Sequence, residues 1–120
     1  SLYNKEEFFM TVHELTEALS LTPFHLAQPD RPVSGGYAGD LLSWVLGRAG
    51  QDAAWLTIMS NQNVAAVALM AEVSCVILTE GGAPDGDLLR RAQEKGVNLL
   101  GAGQDTFDTA ARLSGALAVG

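Results

Sequence analysis

Four short stretches carry the residue types that could do chemistry: Ser34-Gly35-Gly36, Ser60-Asn61-Gln62-Asn63, Thr79-Glu80-Gly81-Gly82 and Gly101-Ala102-Gly103-Gln104. Each reads as a turn that leads out of a strand and into a helix. Glycine lets such a turn reach φ > 0 and lets another group approach the backbone closely. The helix that follows begins with N–H groups that have no partner inside it, and these suit an anion or a carboxylate. Hydroxyls, amides and free N–H groups together fit a small anionic ligand or a nucleotide. The expected ligand contacts are Ser34, Gly35, Gly36, Ser60, Asn61, Gln62, Thr79, Glu80, Gly81 and Gly82. The same residues also have ordinary uses, since Ser and Asn cap helices and glycines make tight turns.

Nothing in the sequence points to catalysis. His13 and His25 fall outside the four turns, and neither has a nucleophile in view. No His/Cys/Asp spacing suggests a metal site, and no cofactor is expected. A phosphate-binding loop of the form G-x-x-x-x-G-K-[ST] is missing from the sequence. Gly101 to Thr106 begins like a dinucleotide fingerprint, but Thr106 stands where the third glycine belongs. It also serves the last βα unit, whereas the fingerprint opens the first. The single cysteine, Cys75, lies in an apolar run and reads as an inert core thiol. Asp40 is expected to complement a helix start, and Asp30 and Arg31 to pair and hold their turn together.

The elements that must position these turns follow from apolar periodicity. A first helix is predicted over Thr11–Leu19, with Phe8, Val12, Leu15 and Leu19 on one face. A short strand over Phe24–Ala27 and a turn over Pro29–Pro32 come next. A helix over Ala38–Arg48 then turns Leu41, Leu42, Val45 and Leu46 inward. Strands over Ala54–Met59, Ser74–Thr79 and Val97–Leu100 alternate with helices over Gln62–Ala71, Asp85–Lys95 and Thr106–Leu117, and Gly96 sits where a C-cap belongs. Short strands alternating with helices of about ten residues predict βαβ crossovers and a mainly parallel sheet in an α/β fold. In such a sheet all the βα turns reach one edge, so the four stretches are expected to share a cleft.

Apolar residues make up 48% of the 120 residues and charged ones 18%, which suits one buried core rather than a disordered chain. The formal net charge of -7 disfavours nucleic acid and anionic membrane surfaces as partners. No apolar run approaches the roughly 18 residues of a spanning helix, and no leader is recognised, so a cytoplasmic setting is expected. The helix around Val64–Ala71 is apolar all round, and Trp44 lies off the apolar face of its own helix. Both features predict a homodimer that uses one or both of them.

The run from Asp30 to Ser43 resembles the DRTGG domain, with Ser34 in place of the signature Thr and Pro32-Val33 separating Asp30-Arg31 from it. Gly-Gly-Tyr-x-Gly-Asp-Leu-Leu-Ser at 35–43 is the most specific part. The early Thr-Val-His-Glu-Leu helix, the Trp-Leu-Thr-Ile strand, Asn-Val-Ala-Ala-Val-Ala at 63–68 and Val-Ile-Leu-Thr-Glu-Gly-Gly at 76–82 follow in family order. The resemblance implies one DRTGG-like domain over 1–120. It also implies a three-layer α/β/α fold like the N-terminal domain of HPr kinase/phosphorylase. The function it implies is a non-enzymatic regulatory or assembly module, with a redox or hydrogenase-linked protein as a further partner. The alternative is an accessory component or fragment of a phosphotransfer enzyme acting on a phosphorylated small molecule.

Overall fold

The computed structural model describes residues 10–119. Phe8, expected on the face of the first helix, lies outside the described residues.

Two short strands frame the start of the chain: β1 (Met10–Thr11) and β3 (Pro32–Val33) pair antiparallel, with Met10 opposite Val33. Between them lie helix α1 (Val12–Leu19) and strand β2 (Thr22–His25). Thr11 and Glu14 start α1 reciprocally. The Thr11 hydroxyl accepts from the Glu14 N–H at 3.1 Å, and the Glu14 carboxylate accepts from the Thr11 N–H at 2.9 Å. Those bonds hold the Glu14 carboxyl below its usual range.

The main sheet has five strands in the order β2-β7-β6-β5-β4. Strands β4 (Gly35–Ala38), β5 (Ala53–Thr57), β6 (Cys75–Leu78) and β7 (Leu99–Gly101) run parallel, and β2 closes the far edge antiparallel to β7. Side chains alternate across this sheet. Trp55, Val76, Leu78 and Leu99 face one layer, which holds α2 (Leu42–Arg48), α3 (Asn63–Met70) and α4 (Gly86–Lys95). Ala54, Leu56, Cys75, Ile77 and Leu100 face the other, which holds α1 and α5 (Thr106–Val119). Being covered on both sides is what makes β5 and β6 unbroken apolar runs. The result is the expected three-layer α/β/α fold with a mostly parallel sheet.

Two expected elements differ. Gly35–Ala38 is the edge strand β4 and not a turn into a helix, and α2 starts only at Leu42, after the real turn at Gly39-Asp40. Leu41 then precedes the helix, and Leu46 lies off its buried side. Val45 and Ala49 are buried, while Leu41 and Leu46 are 58% and 41% exposed. Helix α3 is less bare than its composition suggests, because Val64, Ala65, Val67 and Ala68 are buried in the first layer. Leu69 and Met70 remain exposed.

Candidate functional site

Parallel strands deliver their carboxyl ends to one rim. Beyond β4, the Asp40 carboxylate accepts from the Thr57 hydroxyl at 2.7 Å and from the Ile58 N–H at 2.9 Å. Asp40 therefore ties two strand ends together instead of capping α2, whose N-cap position is Leu41. Beyond β5, the Ser60 hydroxyl donates to the Asp85 carboxylate at 3.0 Å, and the Ser60 carbonyl accepts from the Asp85 N–H at 2.9 Å. The Asn61 side chain accepts from the Asn63 N–H at 2.9 Å. Gln62 occupies the N-cap position of α3 and makes no side-chain cap.

Beyond β6, Thr79 shares a 2.7 Å hydrogen bond with the Thr106 hydroxyl. Glu80 stands at φ 63°, in the left-handed region. This turns its backbone N–H to the Gln104 carbonyl and its carboxylate to the Thr106 N–H at 2.7 Å. Gly81 also lies in the left-handed region and donates to the Ala102 carbonyl. An internal acid thus holds the first turn of α5, where an external anion would otherwise be favoured. That settles the use of the Gly101–Thr106 stretch: it receives Glu80.

The start of α4 is different. Asp85 is its N-cap residue but gives the helix no side-chain hydrogen bond, because its carboxylate is engaged by Ser60. The first-turn N–H groups of α4 therefore lack the acceptor a cap would give them. They sit beside the Ser60 turn, on the rim that also carries Thr79–Gly82.

Ser34-Gly35-Gly36 is not on this rim. The Ser34 N–H donates to the Asp52 carbonyl and its hydroxyl to the Gln51 carbonyl, both just ahead of β5. In a parallel pair that places Ser34 at the amino end of the sheet, a strand length from the other turns. The expected four-turn cleft is corrected to a rim of three. The glycines serve packing, since a β-carbon on Gly36 would lie 2.6 Å from Leu113 Cδ2 of α5. Beside them runs an apolar groove of about 300 Å³ between β4 and α5, lined by Gly35, Gly36, Ala38, Ala110, Leu113 and Leu117 among others.

Arg31 does not pair with Asp30. Its Nε lies 3.0 Å from the Asp52 carboxylate and its Nη2 donates to the Glu72 carbonyl at 2.8 Å, so it clamps two loops at the amino end. His13 is exposed, and His25 is half-buried beside Leu99 at that same end. Burial pushes the Cys75 thiol up to about 12, which keeps it protonated and unreactive. Among the described residues no cluster of His, Cys, Asp and Glu could hold a metal ion, and no helix is long and apolar enough to cross a membrane.

No curated protein matches the sequence. A solved structure does resemble it: the CBS and DRTGG domains of the regulatory region of Clostridium perfringens pyrophosphatase, complexed with activator, diadenosine tetraphosphate. The superposition has a TM-score of 0.70 at 15% identity and covers 90% of this chain and 47% of that one. The chain thus spans about half the length of that relative, and the likeness concerns the fold. The DRTGG domain family matches residues 45–116, from within α2 to within α5. The match takes in the Ser60, Thr79 and Gly101 turns and begins after the 35–43 run that first suggested the resemblance. Because this match spans more than half of the chain, the protein belongs to the DRTGG domain family.

Proposed function

We propose that the chain is a non-enzymatic regulatory module that binds a small anionic ligand or a nucleotide at the carboxyl rim. Ser60, Asn61, Gln62, Thr79, Glu80, Gly81 and Gly82 form the candidate contacts, and the uncapped start of α4 supplies the anion-attracting end. The observation that carries the reading is the contrast between two neighbouring helix starts. That of α5 is filled by Glu80, while that of α4 is left without a cap because Ser60 holds Asp85. The neighbour's complex with diadenosine tetraphosphate supports a nucleotide as the first ligand class to try. Both histidines lie away from the rim, and its carboxylates Asp40, Glu80 and Asp85 are each engaged by hydrogen bonds within the fold, which supports regulation over turnover.

We further propose that the module pairs with a second copy through Trp44. Trp44 is 50% exposed, lies one helical turn from the exposed Leu41, and is stacked by Arg48 at 3.7 Å. Ala68, 3% exposed, belongs to the core and is no part of such a surface.

Thermal shift tests the ligand reading. Diadenosine tetraphosphate, ATP, AMP, acetyl phosphate and tripolyphosphate are screened. At a hundredfold excess over Kd, binding to the folded state adds about 2.7 kcal/mol, a rise on the order of 10 °C in Tm. Asn61→Asp places a charge on the rim and should remove the rise while leaving the unliganded Tm unchanged. No shift with any of these compounds, or a shift that Asn61→Asp leaves intact, defeats the reading.

A further inference from the structure

The layer of α2, α3 and α4 differs in charge from the molecule as a whole. Against a net charge of -7, α2 carries Arg48, α3 carries no charge, and α4 carries Arg90, Arg91 and Lys95 against Asp87 and Glu94. Arg90 pairs with Asp87 at 3.3 Å. Among the described residues no carboxylate pairs with Arg91 or Lys95. These two stand one turn apart on α4 and line a groove of about 100 Å³ against α3. Gln62, Ala65, Ala66 and Leu69 form its other wall. Ala66 is exposed and Leu69 is 44% exposed, so the groove is an open apolar trough with two cations along one side. Its size suits one side chain and not a whole helix.

Phe107 has the complementary build. It lies in the first turn of α5 and is 84% exposed, more than any other large apolar side chain described. Asp105 and Asp108 flank it, and the nearest basic residue along the chain is Arg112. The Asp105 carboxylate accepts from the Asp108 N–H at 2.7 Å, and Thr106 is held by Thr79 and Glu80. The ring therefore stands on a fixed turn between two acids. A phenyl ring left in water forgoes about 1.5–3 kcal/mol of burial, and the bonds that hold this turn make no use of it.

Knob and groove cannot meet within one chain, because α5 covers one face of the sheet and α3 and α4 the other. They can meet between copies. A ring against Ala66 and Leu69, with acids facing Arg91 and Lys95, buries apolar surface and matches charge at once. Either cation can also lie over the face of the ring. Every molecule carries both halves, so the partner that fits is a second copy. The two patches differ, so the contact is heterologous: each copy gives its Phe107 to one neighbour and its groove to another. A contact through Trp44, which would pair like with like, is a separate surface.

We propose that the chain associates head to tail, with Phe107 of one copy seated in the α3–α4 groove of the next and Asp105 and Asp108 facing its Arg91 and Lys95. Sedimentation velocity tests it on the full chain carrying Trp44→Ala, which removes the other contact. The sedimentation coefficient should rise with protein concentration. Phe107→Ala, which loses the knob, and Arg91→Glu with Lys95→Glu, which spoils the groove, should each weaken association at least about tenfold. All three positions are exposed, so Tm should stay unchanged. Mixed together, the two variants should form a dimer that grows no further, because each keeps the half that the other lacks. A chain that stays monomeric into the millimolar range leaves the groove to some other partner and overturns the proposal. Association that survives Phe107→Ala overturns it as well, as does a mixture of the two variants that forms no dimer.

Discussion

Glu80 carries two conflicting demands in one residue. Its backbone stands at φ 63°, which costs a residue with a β-carbon on the order of 1 kcal/mol. Its carboxylate holds the Thr106 N–H at the start of α5. Removing a helix-start acceptor costs about 1 kcal/mol. Glu80→Ala loses the bond and keeps the strain, whereas Glu80→Gly loses the bond and relieves it. Urea denaturation should therefore rank wild type above or level with Glu80→Gly, and both above Glu80→Ala. An alanine variant as stable as the glycine one would show that the left-handed backbone carries no cost here. The sequence showed Glu80 only as one polar residue of a glycine-rich turn, because its partner, Thr106, lies 26 residues away. Arg31 was hidden in the same way: its acceptors, Asp52 and the Glu72 carbonyl, are brought to it only by tertiary folding.

At the scale of elements, β5, β6, α4 and α5 were legible because each buries what it shows. Apolar runs of strand length mark strands covered on both faces, and Leu88 and Ala92 at helical spacing mark α4. Strand β4 was not legible. Gly35-Gly36-Tyr37-Ala38 has two glycines, which are depleted in strands, and its small residues answer to α5 crossing above. Misplacing this one element also moved Ser34-Gly35-Gly36 to the wrong end of the sheet. Gly101 shows the same logic at the other edge. Gly101→Ala should force the Phe24 ring off β7 and cost on the order of 1–3 kcal/mol. Phe24→Ala in the same chain should restore room for the new methyl, so the double variant should lose less than the sum of the two single costs in a double-mutant cycle. Strict additivity would mean that Phe24 has other room to move.

For the whole molecule, the net charge of -7 and the exposed apolar residues pull in opposite directions. Like charge keeps copies apart at low salt, while Trp44 offers an anchor where it is screened. Light scattering should therefore report more dimer at about 0.5 M salt than at 0.02 M, on either side of the ionic strength that screens over about 10 Å. Trp44→Ala should weaken association by on the order of 2 kcal/mol. A monomer at high protein concentration in both buffers would remove the dimer.

Helix α5 spans 14 residues, a rod of about 21 Å. Thr79 and Glu80 fasten its first turn to the rim, and Leu113, further along, lies over Gly36 of the edge strand β4. A rod fixed at one end and in close contact along its length has no slack to absorb a tilt. A tilt of α5 at the Thr79–Glu80 turn would therefore change the width of the groove beside β4, which Leu113 and Leu117 line.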